Sequence, residues 1–547
     1  MSRPGSRGRG SPGRSSRYAL AALLFAAQCA WGQPAPERIR SLAENVAHAN
    51  RATASPYDER NWLERFYGPR GYAPAWTAAA ATQANDVLAR ADEHGLPAQD
   101  YDVRALATRM HARGGTAADD AADQDVALTL ALLRYLADLH VGRIRSDFTQ
   151  ARAVDPVPLL QRALLDKHLA AAVDAAEPQL ALYVRLKATL AEYRKLALQP
   201  MTPLPAVSSR GAIEPGAAYP GARALGERLA LLGDLAPELA ATLDDMPADN
   251  YSAALAQAVK RFQDRHGLGA DGKLGRQTLA ALNVPLASRV RQIELSLERL
   301  RWLPDLSGGP FIAVNLPSFR LWAFKAVDAP PVLATRVIVG KSAVRMQTPL
   351  FTGTLRYLEF NPYWNVPPSI LRAEIVPALL RDPEYLVKND MEVVGAGAQH
   401  VNPATLAALR AGSLRVRQRP GPRNALGAIK FALPNAMNIY LHSTPARELF
   451  ARSRRDFSHG CIRVEDTVAL ANFVLKDQAG WTSEAVAAAM APGANRTVQL
   501  KSSMPVVIFY TTAIVGQDGR PLFPDDVYRL DAALERSLAQ RAERQAR

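Results

Sequence analysis

The spacing of hydrophobic residues differs between the two halves of this chain of 547 residues. From about Glu37 to Leu198, apolar residues recur three and four positions apart, which predicts a helical region. One such stripe comprises Leu128, Leu132, Tyr135, Leu136 and Leu139. After Pro310 the pattern becomes short runs of Val, Ile, Phe and Tyr separated by Gly and Pro, which predicts closely spaced, mainly antiparallel strands. We therefore expect a multidomain α+β protein whose β-rich domain is a sandwich or a barrel-like sheet.

The first 32 residues have the pattern of an export signal. Five arginines precede the apolar run Tyr18–Ala27, which is too short to span a bilayer, and the small residues Ala30 and Gly32 allow cleavage before Gln33. We predict a signal peptide at residues 1–32 and an exported mature protein. An uncleaved membrane anchor and a lipid anchor at Cys29 are the alternatives.

Several segments separate the predicted domains. A helical domain at 36–200 precedes a Pro- and Ser-rich linker at 201–219. A unit at 220–285 has one predicted helix near Ala222–Leu232. A second carries Leu255, Val259 and Phe262, and a third runs from the Asp271-Gly272 turn through Leu274, Leu279 and Leu282. A further amphipathic helix is predicted between Ile293 and Leu303.

The β-rich domain is predicted at residues 310–512. Its predicted strands are Phe311–Leu316, Leu321–Phe324, Thr335–Val339, Leu355–Phe360, Ile439–His442 and Val506–Thr511. Residues 368–425 interrupt this pattern with helical character and charges, so we interpret them as an insertion. The extension at 513–547 ends in a charged helix from Asp531, which we expect to fray.

Cys461 is the single cysteine outside the predicted signal peptide. It follows Ser458, His459 and Gly460, and a second histidine, His442, lies 19 residues upstream. A thiol beside a histidine is suited to nucleophilic attack on a carbonyl and acyl transfer through a thioester. The amides of Gly460 and Cys461 are candidates to face the resulting oxyanion. Either histidine is a candidate base at this point.

Two other interpretations of the cysteine region remain open. His442, His459 and Cys461 form a candidate zinc ligand set, although the chain has no HExxH motif and no paired Cys-x-x-Cys motif. A buried structural thiol is the second alternative.

The charge balance favours an anionic partner. The formal net charge is +14, and loss of the five arginines of the signal region leaves +9. For an exported protein the nearest anionic partners are the cell wall and the membrane surface. No nucleic-acid-binding motif is present, so we expect no nucleic-acid partner. A charge balance that serves only solubility is the alternative.

Two groups of motifs resemble known families. Residues 258–279, with Ala258-Val259-Lys260-Arg261-Phe262-Gln263 and Asp271-Gly272, resemble a three-helix peptidoglycan-binding module. His442-Ser443-Thr444-Pro445, Phe450, Arg454-Arg455 and Phe457–Val464 resemble the signature of the L,D-transpeptidases of the bacterial cell wall, which have a YkuD-type catalytic domain. Further motifs are similar to the large subgroup with a scaffold domain and a capping insertion. These are Val339-Gly340-Lys341, Thr348-Pro349, Phe360–Pro367 and Gly421–Gly427.

The resemblance implies a role for each matching residue. Cys461 would be the nucleophile and His442 its base, with the backbone of Ser443 holding the imidazole. Ser458, His459 and Gly460 would line or support the oxyanion side. Arg463, Tyr363, Trp364, Tyr440 and Asn361 would bind substrate, although core packing of Tyr363 and Trp364 is the alternative. Arg463 stands where many family members have Asn, and it would either bind a stem-peptide carboxylate or brace its loop.

The expected activity is a periplasmic L,D-transpeptidase that forms 3→3 cross-links between peptidoglycan stem peptides. The resemblance implies no cofactor and no metal, partners limited to stem peptides and glycan strands, and inhibition by carbapenem-type β-lactams. A carboxypeptidase or D-amino-acid exchange enzyme with the same nucleophile is an alternative. A non-catalytic wall-binding scaffold is another.

Overall fold

A computed structural model describes residues 34–53, 57–112, 116, 119–144, 155–207, 211–245, 247–395 and 401–546. The predicted signal peptide and Cys29 lie outside these residues. Within the described ranges, no helix combines the length and the apolar character needed to cross a membrane.

The helical region is built around one buried helix. Its described helices, numbered in chain order, are α1 (Pro34–Thr53), α2 (Glu59–Tyr67), α3 (Ala78–Ala89), α4 (Val103–His111), α5 (Asp120–Val141), α6 (Pro156–Leu165), α7 (Leu169–Ala176) and α8 (Ala181–Leu196). Helix α5 is buried around most of its circumference, because its apolar residues are not confined to one stripe. Trp62, Phe66 and Tyr67 are buried in the same core.

A smaller helical module follows. Its helices, and the helix that leads out of it, are α9 (Ala222–Leu231), α10 (Pro237–Ala240), α11 (Ala253–Arg265), α12 (Arg276–Leu282) and α13 (Leu286–Arg301). The prediction that Leu274 belongs to the third helix is wrong. Gly275 is the N-cap of α12, and Leu274 forms a β-bridge with Ile213 instead. Leu204 and Tyr219, in the predicted linker, are buried in the core of the module, so this segment is not a free connector.

The strands lie mainly in the C-terminal half. They are β1 (Phe311–Asn315), β2 (Arg320–Phe324), β3 (Pro331–Gly340), β4 (Phe351–Phe360), β5 (Trp364–Asn365), β6 (Met391–Val393), β7 (Val416–Gln418), β8 (Ile429–Ala432), β9 (Leu441–His442), β10 (Asp456–Ser458), β11 (Ile462–Val464), β12 (Arg496–Phe509), β13 (Ile514–Val515) and β14 (Pro521–Leu522). The predicted strands coincide with β1, β2, β3, β4, β9 and β12. Strand β12 begins ten residues before the predicted start. The prediction missed its first half because most residues there are exposed and polar.

Nine of these strands form one sheet in the order β10-β3-β11-β9-β8-β4-β12-β1-β2. Strand β2 also pairs with β3, so the sheet closes on itself as the predicted barrel-like arrangement requires. Most neighbours are antiparallel, whereas β1 with β12, β9 with β11, and β3 with β10 are parallel. The inward-facing residues form a core with the helices α18 (Thr467–Leu475) and α19 (Ser483–Met490).

The insertion between β4 and β8 has its own core. Its helices are α14 (Pro368–Ile370), α15 (Val376–Arg381), α16 (Tyr385–Lys388) and α17 (Pro403–Ala411), with a π-helical turn at Leu371–Ile375 between the first two. Strands β5, β7 and β6 form a small sheet that the helical prediction lacks. The insertion is therefore mixed in structure, because short strands with two or three residues leave little periodicity in the sequence.

The C-terminal helix α20 (Leu530–Ala546) is anchored, and the prediction that it frays is wrong. Leu534 and Leu538 are buried against Leu295 and Trp302. Near its end, Arg541 donates to the buried carboxylate of Asp138 at 2.6 Å. The charged pattern of this helix therefore includes an apolar stripe and a buried ion pair that hold it to α13 and α5.

Candidate active site

The register between two short strands brings the predicted catalytic residues together. Strands β9 and β11 are parallel, with Arg463 opposite His442, and the amide of Ile462 donates to the carbonyl of Tyr440 at 3.1 Å. Alternate residues of a strand share a face, and so do residues directly opposite each other on neighbouring strands. Cys461, Arg463, Tyr440 and His442 therefore lie on one face of the sheet.

Lys430 lies beside these residues on the neighbouring strand. The sequence did not predict it as a site residue. It lies opposite His442 on β8, and its Nζ is 5.0 Å from the ring centroid of Tyr440. The same ammonium binds the carboxylate of Glu359 at 3.1 Å. Its sequence signature is a lysine in the otherwise apolar run Ile429–Ala432, which is visible only once that run is assigned as a strand.

His442 is buried and its ring orientation is fixed. Its Nδ1 donates to the backbone carbonyl of Ser443 at 2.6 Å, which leaves Nε2 as the nitrogen able to accept a proton. Ser443 is itself fixed, because its hydroxyl donates to the carbonyl of Leu426 at 3.1 Å. Burial, followed by the positive charge of Arg463, lowers the pKa of His442 to about 3. The imidazole is therefore neutral in the resting protein.

Cys461 is a free thiol that is partly exposed. Its Sγ donates to the carbonyl of Asn438 at 3.5 Å, and it also shares a hydrogen bond with the Tyr440 hydroxyl. Burial raises the pKa of the Cys461 thiol, and the hydrogen bonds with Tyr440 oppose this rise. The resting site thus holds a neutral thiol and a neutral imidazole on the same face of the sheet. The thiol has to lose its proton as attack occurs, rather than beforehand.

The turn before Cys461 is held by its own side chains. Gly460 adopts a φ of 119°, which favours glycine, and its amide donates to the hydroxyl of Ser458 at 3.1 Å. The Ser458 hydroxyl donates in turn to the carbonyl of Cys461 at 2.5 Å. The amide of Gly460, one of the two predicted oxyanion donors, therefore already has an acceptor within the turn. The amide of Cys461 is the other predicted oxyanion donor.

Thr348 anchors the same turn from the opposite side, and the sequence assigned it no role. Its hydroxyl donates to the carbonyl of Gly460 at 2.7 Å and accepts from the amide of Gly340 at 2.9 Å. The Tyr528 hydroxyl accepts from the amide of Thr348 at 3.2 Å and donates to the carbonyl of Gly340 at 2.6 Å. Gly340 and Thr348 belong to motifs that carry the family resemblance, and their contacts brace the cysteine turn.

His459 faces the insertion rather than the sheet. Its Nε2 lies 2.6 Å from a carboxylate oxygen of Glu374, and both side chains are partly exposed. Glu374 lies on the π-helical turn Leu371–Ile375, and such turns are frequent at functional sites. The insertion therefore contributes a charged group beside the cysteine turn. No periodicity or motif in the sequence indicated this contact.

The other residues that are predicted to bind substrate differ in their burial and in their contacts. Arg463 is largely buried, burial lowers its pKa, and its Nε has no hydrogen-bond partner in the part of the chain that the structure describes. Trp364 shares a hydrogen bond with the Tyr440 hydroxyl and packs against the core of the insertion, so it lies between the insertion and the site. Tyr363 is partly buried, with Arg417 stacked 4.2 Å from its ring centroid.

Asn361, which is predicted to bind substrate, uses its side-chain amide in contacts within the protein. Its side-chain amide donates to the carbonyls of Ala489 and Ala491 at 3.2 and 2.9 Å, and the residue is buried with a φ of 46°. Both amide hydrogens are therefore engaged. Asn361 ties the end of β4 to the end of α19, which is a structural task.

The arrangement of possible metal ligands does not favour the zinc interpretation. Across the described ranges, no group of three or more His, Cys, Asp or Glu side chains is arranged to hold a metal ion. His442 and His459 face different neighbours, the carbonyl of Ser443 and the carboxylate of Glu374 respectively.

Comparison with known families identifies three domains in the chain. Residues 61–190 match a scaffold domain, residues 220–282 match a peptidoglycan binding domain, and residues 309–508 match the L,D-transpeptidase catalytic domain. The residues Cys461, His442 and Arg463 all fall within the third match.

Two individual proteins provide further comparison. The chain is 33% identical over 272 residues to a Haemophilus influenzae protein named "Putative L,D-transpeptidase", and the match covers 48% of this chain. The chain spans about half of that relative, 54% of its length. A solved structure from Clostridium acetobutylicum, a fused Zn-dependent amidase/peptidase/peptidoglycan-binding domain-containing protein, is 12% identical. That match covers 55% of this chain and 99% of the other with a TM-score of 0.16, too low to support any argument.

Proposed function

Because the chain carries an L,D-transpeptidase catalytic domain together with a scaffold domain and a peptidoglycan-binding domain, we propose that it is a cysteine-dependent L,D-transpeptidase. Its reaction is the formation of 3→3 cross-links between peptidoglycan stem peptides in the periplasm. The observation that carries this proposal is the placement of Cys461, His442 and Arg463 on one face of the sheet by the β9–β11 register.

In the first half-reaction, Cys461 attacks the carbonyl of the third residue in a tetrapeptide stem. The S–C bond forms as the C–N bond to the terminal D-alanine breaks. The thiol proton passes to Nε2 of His442 and then to the leaving amine, so the imidazole returns to its neutral state. The lowered pKa of His442 favours this return, because a buried imidazolium gives up its proton readily.

In the second half-reaction, the side-chain amine of a neighbouring stem attacks the thioester. The new C–N bond replaces the S–C bond, the amine loses a proton, and the thiol of Cys461 is restored. The Cys461 amide stabilises the oxyanion of both tetrahedral intermediates, since the amide of Gly460 is held by Ser458. The bracing of this turn by Thr348 keeps the donor in place without rearrangement during the reaction.

Substrate selection follows from the charges around the thiol. The guanidinium of Arg463 and the ammonium of Lys430 lie on the same face as Cys461, which suits the terminal carboxylate of the donor stem. Tyr440 and Trp364 supply an aromatic wall on the side of the insertion. Carbapenem-type β-lactams, which also present an electrophilic carbonyl and a carboxylate, would acylate the same thiol.

The test is product analysis with and without the nucleophile. The mature protein and its Cys461→Ala variant are incubated with a disaccharide-tetrapeptide, and the products are identified by mass spectrometry. Dimers with wild-type protein and none with the variant support the proposal. Tripeptide monomers alone would identify a carboxypeptidase, and incorporation of an added D-amino acid would identify an exchange enzyme. Equal dimer formation by both proteins would exclude Cys461 as the nucleophile.

A further inference from the structure

A cleft of about 390 Å³ lies between the peptidoglycan-binding module and the catalytic domain. One wall is the end of α11 and the loop after it, from Asp264 to Ala270. The opposite wall is formed by residues 317–320 and 451–455 of the catalytic domain. Neither Cys461 nor His442 lines this cleft, so it is separate from the candidate active site.

Two arginines of the catalytic wall are directly opposite each other. Arg320 on β2 pairs in register with Arg336 on β3, an arrangement in which like charges destabilise a sheet. Glu465 compensates Arg336 through two hydrogen bonds of 2.6 and 2.5 Å. Arg320 has no corresponding acid partner among the residues that the structure describes. The pair therefore keeps an excess positive charge.

Arg455 adds a buried charge to the same wall. It is 8% exposed, and it donates to backbone carbonyls, including those of Arg452 at 2.6 Å and Phe319 at 3.3 Å. Burial, followed by the charges of Arg336 and Arg320, lowers the pKa of Arg455 to about 10. A buried guanidinium is costly unless a counter-charge offsets it. Arg455 belongs to the Arg454-Arg455 part of the transpeptidase signature, which the catalytic steps above do not use.

The other charges in the cleft do not neutralise these arginines. Arg454 is bound to Asp456 at 2.7 Å, and Arg265 on the module wall is bound to Asp234 at 2.6 Å. Asp264 and Asp525 also line the cleft, but both are exposed to solvent. The acid that acts on Arg455 is Glu465, which is already shared with Arg336. An anion in the cleft would therefore gain from several arginines at once.

We propose that the arginine cleft, defined by Arg320, Arg336, Arg452 and Arg455, binds the carboxylates of a peptidoglycan stem peptide. The site lies where two domains meet, which is a preferred position for ligand sites, and arginine recognises carboxylates in a bidentate manner. This inference rests on the proposed function, because it takes peptidoglycan as the substrate. The cleft would hold a second peptidoglycan strand beside the module, while Cys461 reacts with a stem peptide at the active site.

The test measures binding to peptidoglycan and does not depend on turnover. Full-length mature protein is sedimented with purified peptidoglycan sacculi freed of phosphate-bearing wall polymers, and half-saturation is compared between variants. Arg320→Gln combined with Arg452→Gln removes two arginines of the cleft wall outside the buried core. We expect half-saturation to rise about tenfold, the loss typical of charge-assisted hydrogen bonds. The control, Arg410→Gln combined with Arg536→Gln, removes two exposed arginines elsewhere and should change it less than about twofold.

Two further binding measurements identify the chemical group that the cleft binds. Sacculi with carbodiimide-amidated carboxylates should bind wild-type protein as weakly as untreated sacculi bind the double variant. If amidation has no effect while inorganic phosphate displaces the protein, the cleft is a phosphate site and the proposal is wrong. Equal binding by the double variant and wild type also overturns it. Turnover of soluble disaccharide-tetrapeptide is measured in parallel. A protein that forms no dimers but shows the binding difference contradicts the proposed activity and leaves the cleft assignment standing.

Discussion

The two histidines beside Cys461 lie in regions of the molecule that are built in different ways. His442 is 4% exposed and is positioned by strand register and by a hydrogen bond to the next backbone carbonyl. His459 is partly exposed and faces Glu374, a residue of the separately packed insertion. We call these the sheet side and the insertion side of the site.

This difference bears on two separate tasks of the site, which are proton transfer and the entry of substrate. A base has to keep its geometry through the reaction, and the sheet side provides that because its partners belong to one continuous hydrogen-bonded structure. A contact between partly exposed groups of two different units is weaker and can open when substrate binds. We therefore propose that His442 transfers the proton and that substrate enters near His459.

The largest expected effect comes from replacing the two histidines separately. His442→Gln should lower kcat/KM for dimer formation about 10³-fold, within the range for loss of a positioned general base. His459→Gln should lower it about tenfold or less, because that ring contacts the partly exposed Glu374 of the insertion. The measurement is initial rates with disaccharide-tetrapeptide. If His459→Gln is the more damaging change, the assignment of the two sides is reversed.

The pH dependence of stability should also distinguish the two sides. The pKa of His442 is lowered to about 3 in the folded protein, against an ordinary value of 6.5. The unfolded state then binds more protons between these values, so stability falls as pH falls through this window. Wild type should lose a few kcal/mol more than His442→Gln between pH 6.5 and 3. Urea unfolding across this range checks it, with exposed His168→Gln as control. Parallel curves for wild type and His442→Gln would contradict it.

A third prediction concerns the turn that joins the two sides. Thr348→Val removes the hydroxyl that bridges Gly340 and Gly460, leaving a buried amide and a buried carbonyl without this partner. We expect a loss of about 1–3 kcal/mol in the free energy of unfolding and slower acylation of Cys461. Thr82→Val on the exposed surface of α3 should cost less than about 0.5 kcal/mol. Unchanged acylation by Thr348→Val would show that the turn is held without this bridge.

The smallest expected effect is on the insertion side. Glu374→Gln removes a charge that is 49% exposed, so its loss should change activity less than about fivefold. The effect should shrink as salt concentration rises, because exposed charges are screened. Rates at low and high ionic strength test this, with the exposed Glu238→Gln as a matched control. A loss as large as that of His442→Gln would place the insertion in the chemistry itself.

Sequence reasoning predicted the parts of the fold that have strong local patterns. The helical region and the strands that carry Val and Ile follow from periodicity, which is a property of neighbouring residues. The choice of His442 as the base for Cys461 followed from family resemblance, because adjacency in sequence suggested His459 instead. The register that places them together depends on the assembled sheet.

The contacts that the sequence did not predict join residues that lie far apart along the chain. Thr348 lies 112 residues from Gly460, and Glu374 lies 85 residues from His459, so no local pattern links either pair. The motif that contains Asn361 likewise does not show that its side-chain amide donates to carbonyls at the end of α19. The tail beginning at Asp531 was expected to fray because its charges dominate the pattern. Its buried leucines can be recognised as core residues only once the helix is packed against α13.

The central claim, that Cys461 on the sheet side carries the acyl group, is tested most directly by trapping that intermediate. Mature protein is mixed with a disaccharide-tetrapeptide blocked at its side-chain amine, so that it can donate but not accept. Intact-mass analysis is followed over time, with peptide mapping of the adduct. We predict the mass of the donor without its terminal D-alanine, on the peptide containing Cys461, forming much more slowly in His442→Gln. Release of D-alanine by Cys461→Ala at the wild-type rate would contradict the account.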